Sequence, residues 1–212
     1  MKTKQLLGAA LAFIALVSSC KKDDYRKLEK TNPSEVQFTS RILGTQATKA
    51  NGNTWDSNDE IGVFMKQGTG LSNILAGNKK YSTNGNGNFS ASGNNVINYP
   101  EAGQVDFIAY YPYSADLKGT SLGFNISEQS NPAKIDVMYS NNAKSLSKGS
   151  KTASLEFAHK LAKVELIVKA GKGVSNLTGL KTAYNNIPTL SNMDLATELL
   201  QMEQELQMFK QR

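Results

Sequence analysis

The chain has 212 residues, of which 39% are hydrophobic and 8% aromatic, with 24 basic and 18 acidic residues and a net charge of +6. A single cysteine excludes an internal disulfide framework, and a single histidine excludes a multi-histidine metal site. The basic residues are scattered along the chain, as on a solvated surface rather than a nucleic-acid footprint. We therefore expect no metal, no cofactor and no nucleic-acid partner.

Residues 1–19 are predicted to be a removed export signal. Lys2 and Lys4 form a positive start, and the apolar run at 6–17 is shorter than the roughly 20 residues that a membrane-spanning helix needs. The run ends in Val-Ser-Ser-Cys, which resembles the lipobox of bacterial lipoproteins. We therefore expect Cys20 to be acylated and to anchor the chain; a free cysteine after an ordinary signal peptide is the alternative.

Residues 20–34 are polar, and we predict that they form a flexible tether. Within them, Lys22, Asp23 and Asp24 resemble the lysine-then-acidic surface-export signal of lipoproteins in some Gram-negative bacteria. A charged, solvated tether explains the same residues equally well. With the export interpretation, the expected location is the outer face of the outer membrane.

The body of the chain is predicted to be all-β. Short segments that are β-prone, several of them alternating polar and apolar residues, are separated by turns rich in Gly, Asn and Pro, and no long helical period lies between them. This pattern favours a β-sandwich over a parallel α/β sheet. The predicted strands are 35–39, 61–65, 95–99, 104–111, 121–126, 136–139, 154–157 and 161–169.

Residues 198–212 break this pattern, because they contain no Gly, Asn, Ser or Thr. Leu199, Met202, Leu206 and Phe209 recur at helical spacing, which predicts an amphipathic terminal helix. A second hypothesis is a frameshifted tail. Loss of one base at the Glu198 codon would convert a Gly/Asn/Thr-rich continuation into the observed residues, and sequencing the gene with its downstream DNA would decide.

Two groups of residues suggest alternative functions. His159 lies on a predicted strand and is favoured as a packed or hydrogen-bonded residue, whereas a surface hydrolase would need a nucleophile placed beside it. Trp55 and the group Tyr110, Tyr111 and Tyr113 form a candidate glycan-stacking platform; core packing is the favoured interpretation.

Five segments together resemble the fimbrillin family, the subunits of type V pili. These are 55–65, a tryptophan and acidic turn followed by Ile-Gly-Val-Phe-Met, and then 97–100, 105–113, 136–140 and 155–164. One departure is the acidic turn, which has Asp-Glu where the family usually has Gly-Asp.

The resemblance implies a structural subunit or surface adhesin exported as a lipoprotein, and no enzyme activity. Family members commonly have two transthyretin-like β-sandwich domains. Residues 35–170 would then form the first sandwich and 171–197 the start of a truncated second one, leaving 198–212 as an aberrant tail.

The resemblance also implies assembly with other pilus subunits by strand exchange, in which a groove left by one strand accepts a strand from the next subunit. In some members a trypsin-like protease opens that groove. Arg41 is the candidate cleavage site here, and Arg26 and Lys49 are the alternatives. Retention of the uncleaved, lipid-anchored chain is the other possibility. The competing functions are a surface glycan-binding lipoprotein and, less favoured, a surface hydrolase.

Overall fold

The computed structural model describes residues 34–44 and 53–202, and for the backbone alone residues 206–210. In these residues the only helices are two short 3-10 turns, Gly93–Asn95 and Pro132–Ile135, so the all-β prediction is confirmed. None of the described residues forms a helix long and apolar enough to span a bilayer. The strands are β1 Gln37–Leu43, β2 Ser57–Gln67, β3 Asn73–Asn84, β4 Asn88–Ser90, β5 Asp106–Tyr111, β6 Ser121–Asn125, β7 Met138–Ser140, β8 Thr152–His159, β9 Ala183–Pro188, β10 Leu190–Asp194, β11 Leu199–Met202 and β12 Leu206–Lys210.

Seven strands form one sheet that closes on itself in the order β1-β4-β3-β2-β5-β7-β8. Its neighbours pair antiparallel, except that β8 closes the sheet against β1 in parallel. Parallel neighbours cannot be joined by a hairpin and need a long connection. Here the connection between β1 and β8 carries all the other strands of the closed sheet.

The run Ile61–Met65 in β2 is buried without alternation because both faces of the strand are covered. Ile61 and Val63 point into the closed sheet with Phe107 and Phe157, all fully buried. Phe64, on the opposite face, belongs to a second apolar cluster. A strand with both faces covered loses the apolar/polar alternation of a half-solvated one.

The second cluster lies between the outer face of the closed sheet and a three-stranded sheet in the order β11-β10-β6. Leu122 of β6, Met193 of β10 and Leu195 pack there against outward-facing side chains such as Tyr110. Tyr139 donates a hydrogen bond from its hydroxyl to the Leu195 carbonyl at 2.9 Å. The stretch 190–195, which the sequence assigned to the start of a second domain, therefore contributes to the packing of the main body.

Two predicted strands differ from the structure. Residues 161–169 form no ladder, and Val164 and Ile167 are 70% and 72% exposed, because no strand of the described chain lies beside them. At 95–99, Ile97 and Tyr99 are buried as their alternation suggested, but Asn98 makes only an isolated bridge, to Glu35.

The predicted terminal helix is wrong. β11 pairs antiparallel with β10 across the turn 195–198, and β12 pairs with β9. Long-range pairing overrides helical spacing, since intrinsic propensity is a weak preference that tertiary contacts can reverse. Glu198 has a φ of 66°, which ends any helical continuity at that turn. Strands β3, β4, β9 and β10 had no counterpart among the predicted segments.

Candidate functional site at strand β1

Strand β1 lies between two neighbours of very different length. It pairs with β8 over seven residues, from Gln37 opposite Thr152 to Leu43 opposite Ala158. On its other edge, the antiparallel ladder with β4 covers only Phe38 and Thr39. We call the space that β1 fills, between residues 87–90 and 152–158, the β1 groove.

Phe38 anchors β1 in the core. Its side chain is 2% exposed and makes edge-on ring contacts with Tyr81 at 4.8 Å and Phe107 at 5.1 Å between centroids. Full burial of a phenylalanine stabilises a fold by about 1.5–3 kcal/mol relative to exposure, and edge-on ring pairs add to this. A segment that fills the β1 groove therefore needs a large apolar side chain at this position.

Hydrogen bonds to other segments fix β1 at its start and at its centre. Just before the strand, Val36 N–H donates to the Ile97 carbonyl at 2.9 Å. At the centre, Ser40 donates to the Gly87 carbonyl from its N–H at 2.7 Å and from its hydroxyl at 3.0 Å. Ladder bonds of this kind hold any extended segment, whatever its side chains, so the groove is suited to bind a strand.

Arg41 is in the middle of β1, with its side chain on the outward face. Its Nε and Nη2 atoms lie 3.1 and 2.5 Å from Glu156 Oε1 on β8. A protease would therefore have to act on Arg41 after β1 had left its neighbours. Cleavage there stays a prediction. The other predicted processing and anchoring residues, Cys20, Lys22, Asp23, Asp24, Arg26 and Lys49, lie outside the described residues.

Of the aromatic residues that were considered as a glycan platform, Trp55 and Tyr110 lie on opposite faces of the closed sheet, and Tyr111 packs edge-on against Trp55 at 5.5 Å between ring centroids. Trp55 is 7% exposed and packs inside the closed sheet, edge-on to Phe89 and Phe157. Tyr110 is fully buried in the second cluster on the other face. The two rings therefore present no common exposed surface on which a sugar could stack.

The remaining tyrosines are engaged with polar neighbours. Tyr111 donates its hydroxyl to Asp59 Oδ1 at 3.1 Å, and burial together with this carboxylate raises its pKa. Half-buried Tyr113 has the Lys80 ammonium 5.8 Å from its ring centroid. These contacts tie the acidic turn and β3 to the end of β5, in agreement with the packing interpretation.

His159 ends β8, and its Nδ1 lies 2.7 Å from Asp136 Oδ2. Burial raises the pKa of the Asp136 carboxyl, and the neighbouring imidazole opposes that rise. The pair joins the end of β8 to the segment that precedes β7. This is a structural tether of the hydrogen-bonded kind that the sequence favoured for His159.

Residues 119–123 match the pattern Gly-x-Ser-x-Gly, which marks the nucleophile of many hydrolases. In hydrolases the serine of that pattern sits on a sharp turn from a strand to a helix. Ser121 instead opens β6 directly after a turn, its N–H donating to the Lys118 carbonyl at 3.1 Å, and the next residue, Leu122, is buried. The pattern is here a turn-to-strand junction.

Sequence reasoning missed one buried ion pair. Lys66, whose side chain is 8% exposed, places Nζ 3.1 Å from Asp106 Oδ2 and donates to the Gly68 carbonyl. Nothing in the sequence marks this lysine, because its partner is brought alongside by the β2–β5 pairing. Across the described ranges, no group of three or more potential metal-ligating His, Cys, Asp or Glu residues is present.

Comparison with known proteins gives concordant results. A family model described as fimbrillin-like matches residues 48–211. The chain is 30% identical over 203 residues to a Bacteroides uniformis protein that carries the name of a fimbrium subunit, Fim1C; the match covers 92% of this chain and 66% of that protein. It is also similar to the crystal structure of a protein from Bacteroides uniformis described as a cell adhesion protein, with a TM-score of 0.62, 28% identity, and coverage of 84% of this chain and 68% of that one. The chain thus spans about two thirds of the length of these relatives.

Proposed function

Since the chain belongs to the fimbrillin-like family, we propose that it is a surface-anchored fimbrial subunit or adhesin that assembles with other subunits by strand exchange at β1. In this proposal β1 occupies its own groove until it is displaced, and the groove then accepts a strand from a neighbouring subunit. The role is structural rather than enzymatic.

The observation that carries the proposal is the parallel placement of β1. Every other neighbour in the closed sheet is antiparallel, and β1 is separated from β8 by the whole of the remaining sheet. Leaving the groove would therefore break no hairpin in which β1 takes part. The groove would keep its apolar pocket at Tyr81 and Phe107 and the unpaired backbone of β8, the two features that favour addition of an external strand.

Strand exchange can be tested by cross-linking between two copies. Thr39 and Ser154 are partners in the parallel register and both lie on the outward face. One full-length copy would carry Thr39→Cys and the other Ser154→Cys, both with Cys20→Ser. Only the Ser154→Cys copy would be incubated with or without trypsin, and the trypsin would be inhibited before mixing, because cleavage at Arg41 or Lys49 would detach Thr39→Cys from the rest of its own chain. We expect disulfide-linked chains once β1 is freed. A Ser72→Cys copy, exposed on another loop, is the matched control for random oxidation.

The proposal of strand exchange fails if the mixture gives no more linked chains than the Ser72→Cys control after β1 is shown to have left the groove. Sequencing the new N-terminus of the trypsin product distinguishes cleavage at Arg41 from cleavage at Arg26 or Lys49. The Arg41→Gln, Arg26→Gln and Lys49→Gln variants then show which of these sites is needed for linking.

The lipid anchor at Cys20 is a separate part of the proposal. It is supported by the lipobox-like residues that precede Cys20. Expressed in a Gram-negative host with an alkyne-labelled fatty acid, the full chain should incorporate label and sediment with the outer membrane. Cys20→Ser should abolish both. Thr31→Ser, in the predicted tether and outside the lipobox-like residues, is the control, and unchanged labelling of the Cys20→Ser chain would remove the anchor.

A further inference from the structure

We infer that Glu156 selects the strand that fills the β1 groove, by favouring a cationic side chain at the register position now held by Arg41. This inference rests on the proposed strand exchange and names the chemistry of the partner. The partner is an extended segment with a large apolar residue in the first position, a small residue in the third and Arg or Lys in the fourth. In this chain those positions are Phe38, Ser40 and Arg41.

The backbone of Glu156 is held in place independently of β1. Its N–H donates to Asn142 Oδ1 at 2.8 Å and to Ser140 Oγ at 3.2 Å, both outside β1. Its side chain is 33% exposed, so the carboxylate stands at the rim of the groove, where it meets Arg41. When β1 leaves, the Glu156 carboxylate therefore remains beside the empty backbone edge of β8 without its cationic partner.

The preference for a small residue in the third position comes from the other side of the β1 groove, formed by residues 87–90. The Ser40 side chain lies against the Gly87 backbone, with its Oγ 3.0 Å from the Gly87 carbonyl oxygen. The hydroxyl of Ser40 donates to the Gly87 carbonyl, which uses the short distance between the two chains. A bulky residue at this position would be forced against the backbone of the loop before β4.

The charge is needed because alternation alone leaves one ambiguity in register. A slip of one residue moves Phe38 to the outer face and is excluded by the apolar pocket. A slip of two residues keeps every side chain on its face and brings either Ser40 or Val36, itself a buried apolar residue, to the pocket that Phe38 fills. Glu156 would then face Thr39 or Leu43 in place of a cation, so the ion pair favours the register with Arg41 opposite.

The energy expected for the Arg41–Glu156 ion pair is suited to selecting between strands rather than to supplying most of the binding affinity. Arg41 has a side chain that is 68% exposed, and ion pairs at such sites typically contribute about 0.2–1 kcal/mol, roughly a 1.4- to 5-fold effect. A like charge placed directly opposite across two strands is destabilising by a similar amount. Discrimination between a cation and an anion at this position should thus reach about tenfold, from the attraction lost and the repulsion gained.

The test uses the full chain with a recognition site for a site-specific protease placed within 45–52, so that cleavage leaves β1 in its groove but no longer attached. The cleaved chain is mixed with an excess of fluorescent 35–44 peptide, and the label retained after gel filtration is measured. The peptides are the natural sequence, Phe38→Ala, Arg41→Gln, Arg41→Glu and Gln37→Glu. The last changes the charge by the same amount as Arg41→Gln, at an exposed position that lies opposite Thr152.

We expect the natural and Gln37→Glu peptides to be retained equally, Arg41→Gln to be retained about 1.4- to 5-fold less and Arg41→Glu about tenfold less. A chain with Glu156→Lys should reverse the order and prefer the Arg41→Glu peptide; Glu156→Gln should remove the preference. Equal retention of all peptides that keep Phe38 would overturn the selectivity of Glu156 while leaving strand exchange in place. If the natural peptide is retained no better than Phe38→Ala, strand exchange itself is refuted, and the inference with it.

Discussion

Ser40 and Gly87 are in direct backbone contact across the seam between β1 and β4. Ser40 N–H lies 2.7 Å from the Gly87 oxygen, while a Cβ on Gly87 would lie 2.8 Å from the Ser40 oxygen. Gly87 also has a φ of +80°, a conformation that disfavours residues with a side chain. The side of the β1 groove that residues 87–90 form thus depends on a glycine at position 87.

Gly87→Ala should loosen β1. We expect a loss of about 1–3 kcal/mol in the free energy of unfolding, together with faster amide exchange at Ser40, because both the positive φ and the contact oppose a methyl group. Gly93→Ala is the control, since Gly93 has a φ of +59° but no neighbouring atom within 4 Å of its added Cβ. If both variants lose the same stability and Ser40 exchange is unchanged, the contact with β1 is unimportant.

Phe38→Ala should destabilise the protein by about 3–5 kcal/mol in urea unfolding, because it empties a pocket between Tyr81 and Phe107 that the surrounding rings cannot refill. Leu43→Ala in the same strand, where the side chain is 38% exposed, should cost far less. Similar losses for the two variants would show that the first half of β1 is not its anchor.

Leu195→Ala tests whether the segment after β10 belongs to the main body. Leu195 is fully buried in the second cluster, so we expect a loss of about 2–5 kcal/mol on thermal or urea unfolding. Val164→Ala, at a 70% exposed position, should change stability by less than about 0.5 kcal/mol. A neutral Leu195→Ala variant would mean that the main body is stable without this segment.

Asp106 should contribute to stability at neutral pH and not in strong acid. Burial by itself would raise the pKa of this carboxyl, but hydrogen bonds from Ser145 N–H and Lys66 bring it below the ordinary value. A carboxyl whose pKa is depressed by folding stabilises the native state above its unfolded pKa of about 3.9, and this contribution is lost as the pH falls through the folded value.

The Asp106→Asn variant should accordingly be less stable than the natural chain at pH 7, and the difference should shrink below about pH 4. Urea unfolding measured from pH 7 to pH 2 gives the two curves. Asp116→Asn, at an exposed loop position, removes the same charge and should leave the curve unchanged. A difference from the natural chain that stays constant with pH would show that the ionised Asp106 carboxylate does not contribute.

Several elements could be predicted from local sequence because their signal is local. The β-prone segments at 61–65 and 154–157 lie in strands and 104–111 contains β5, since β-branched and aromatic residues bounded by turns favour that conformation. Strand β3 was missed because Asn73–Asn84 is largely polar and carries an irregular register against β2. Its position comes from pairing and not from its own composition.

In the candidate site, too, the sequence indicates some residues, whereas only the fold shows which of them are in contact. Arg41 was singled out as a basic residue in the sequence, but its partner Glu156 is 115 residues away, and no local pattern connects them. Trp55 and Tyr110 are both aromatic residues near predicted strands, and only the fold shows that they lie in different clusters. The helical spacing in the tail was overruled by ladders with β10 and β9.

The amino-acid sequence by itself determined the all-β class, most of the core strands and the resemblance to a family. Turn chemistry, side-chain alternation and family motifs each depend on residues that are close together in the sequence. The tertiary structure alone decided that β1 lies parallel to β8, that Glu156 stands opposite Arg41, and that the stretch around Leu195 seals the second cluster. Those relationships join residues far apart in the chain, and they exist only once hydrogen-bonded ladders and the burial of apolar side chains have brought the strands together.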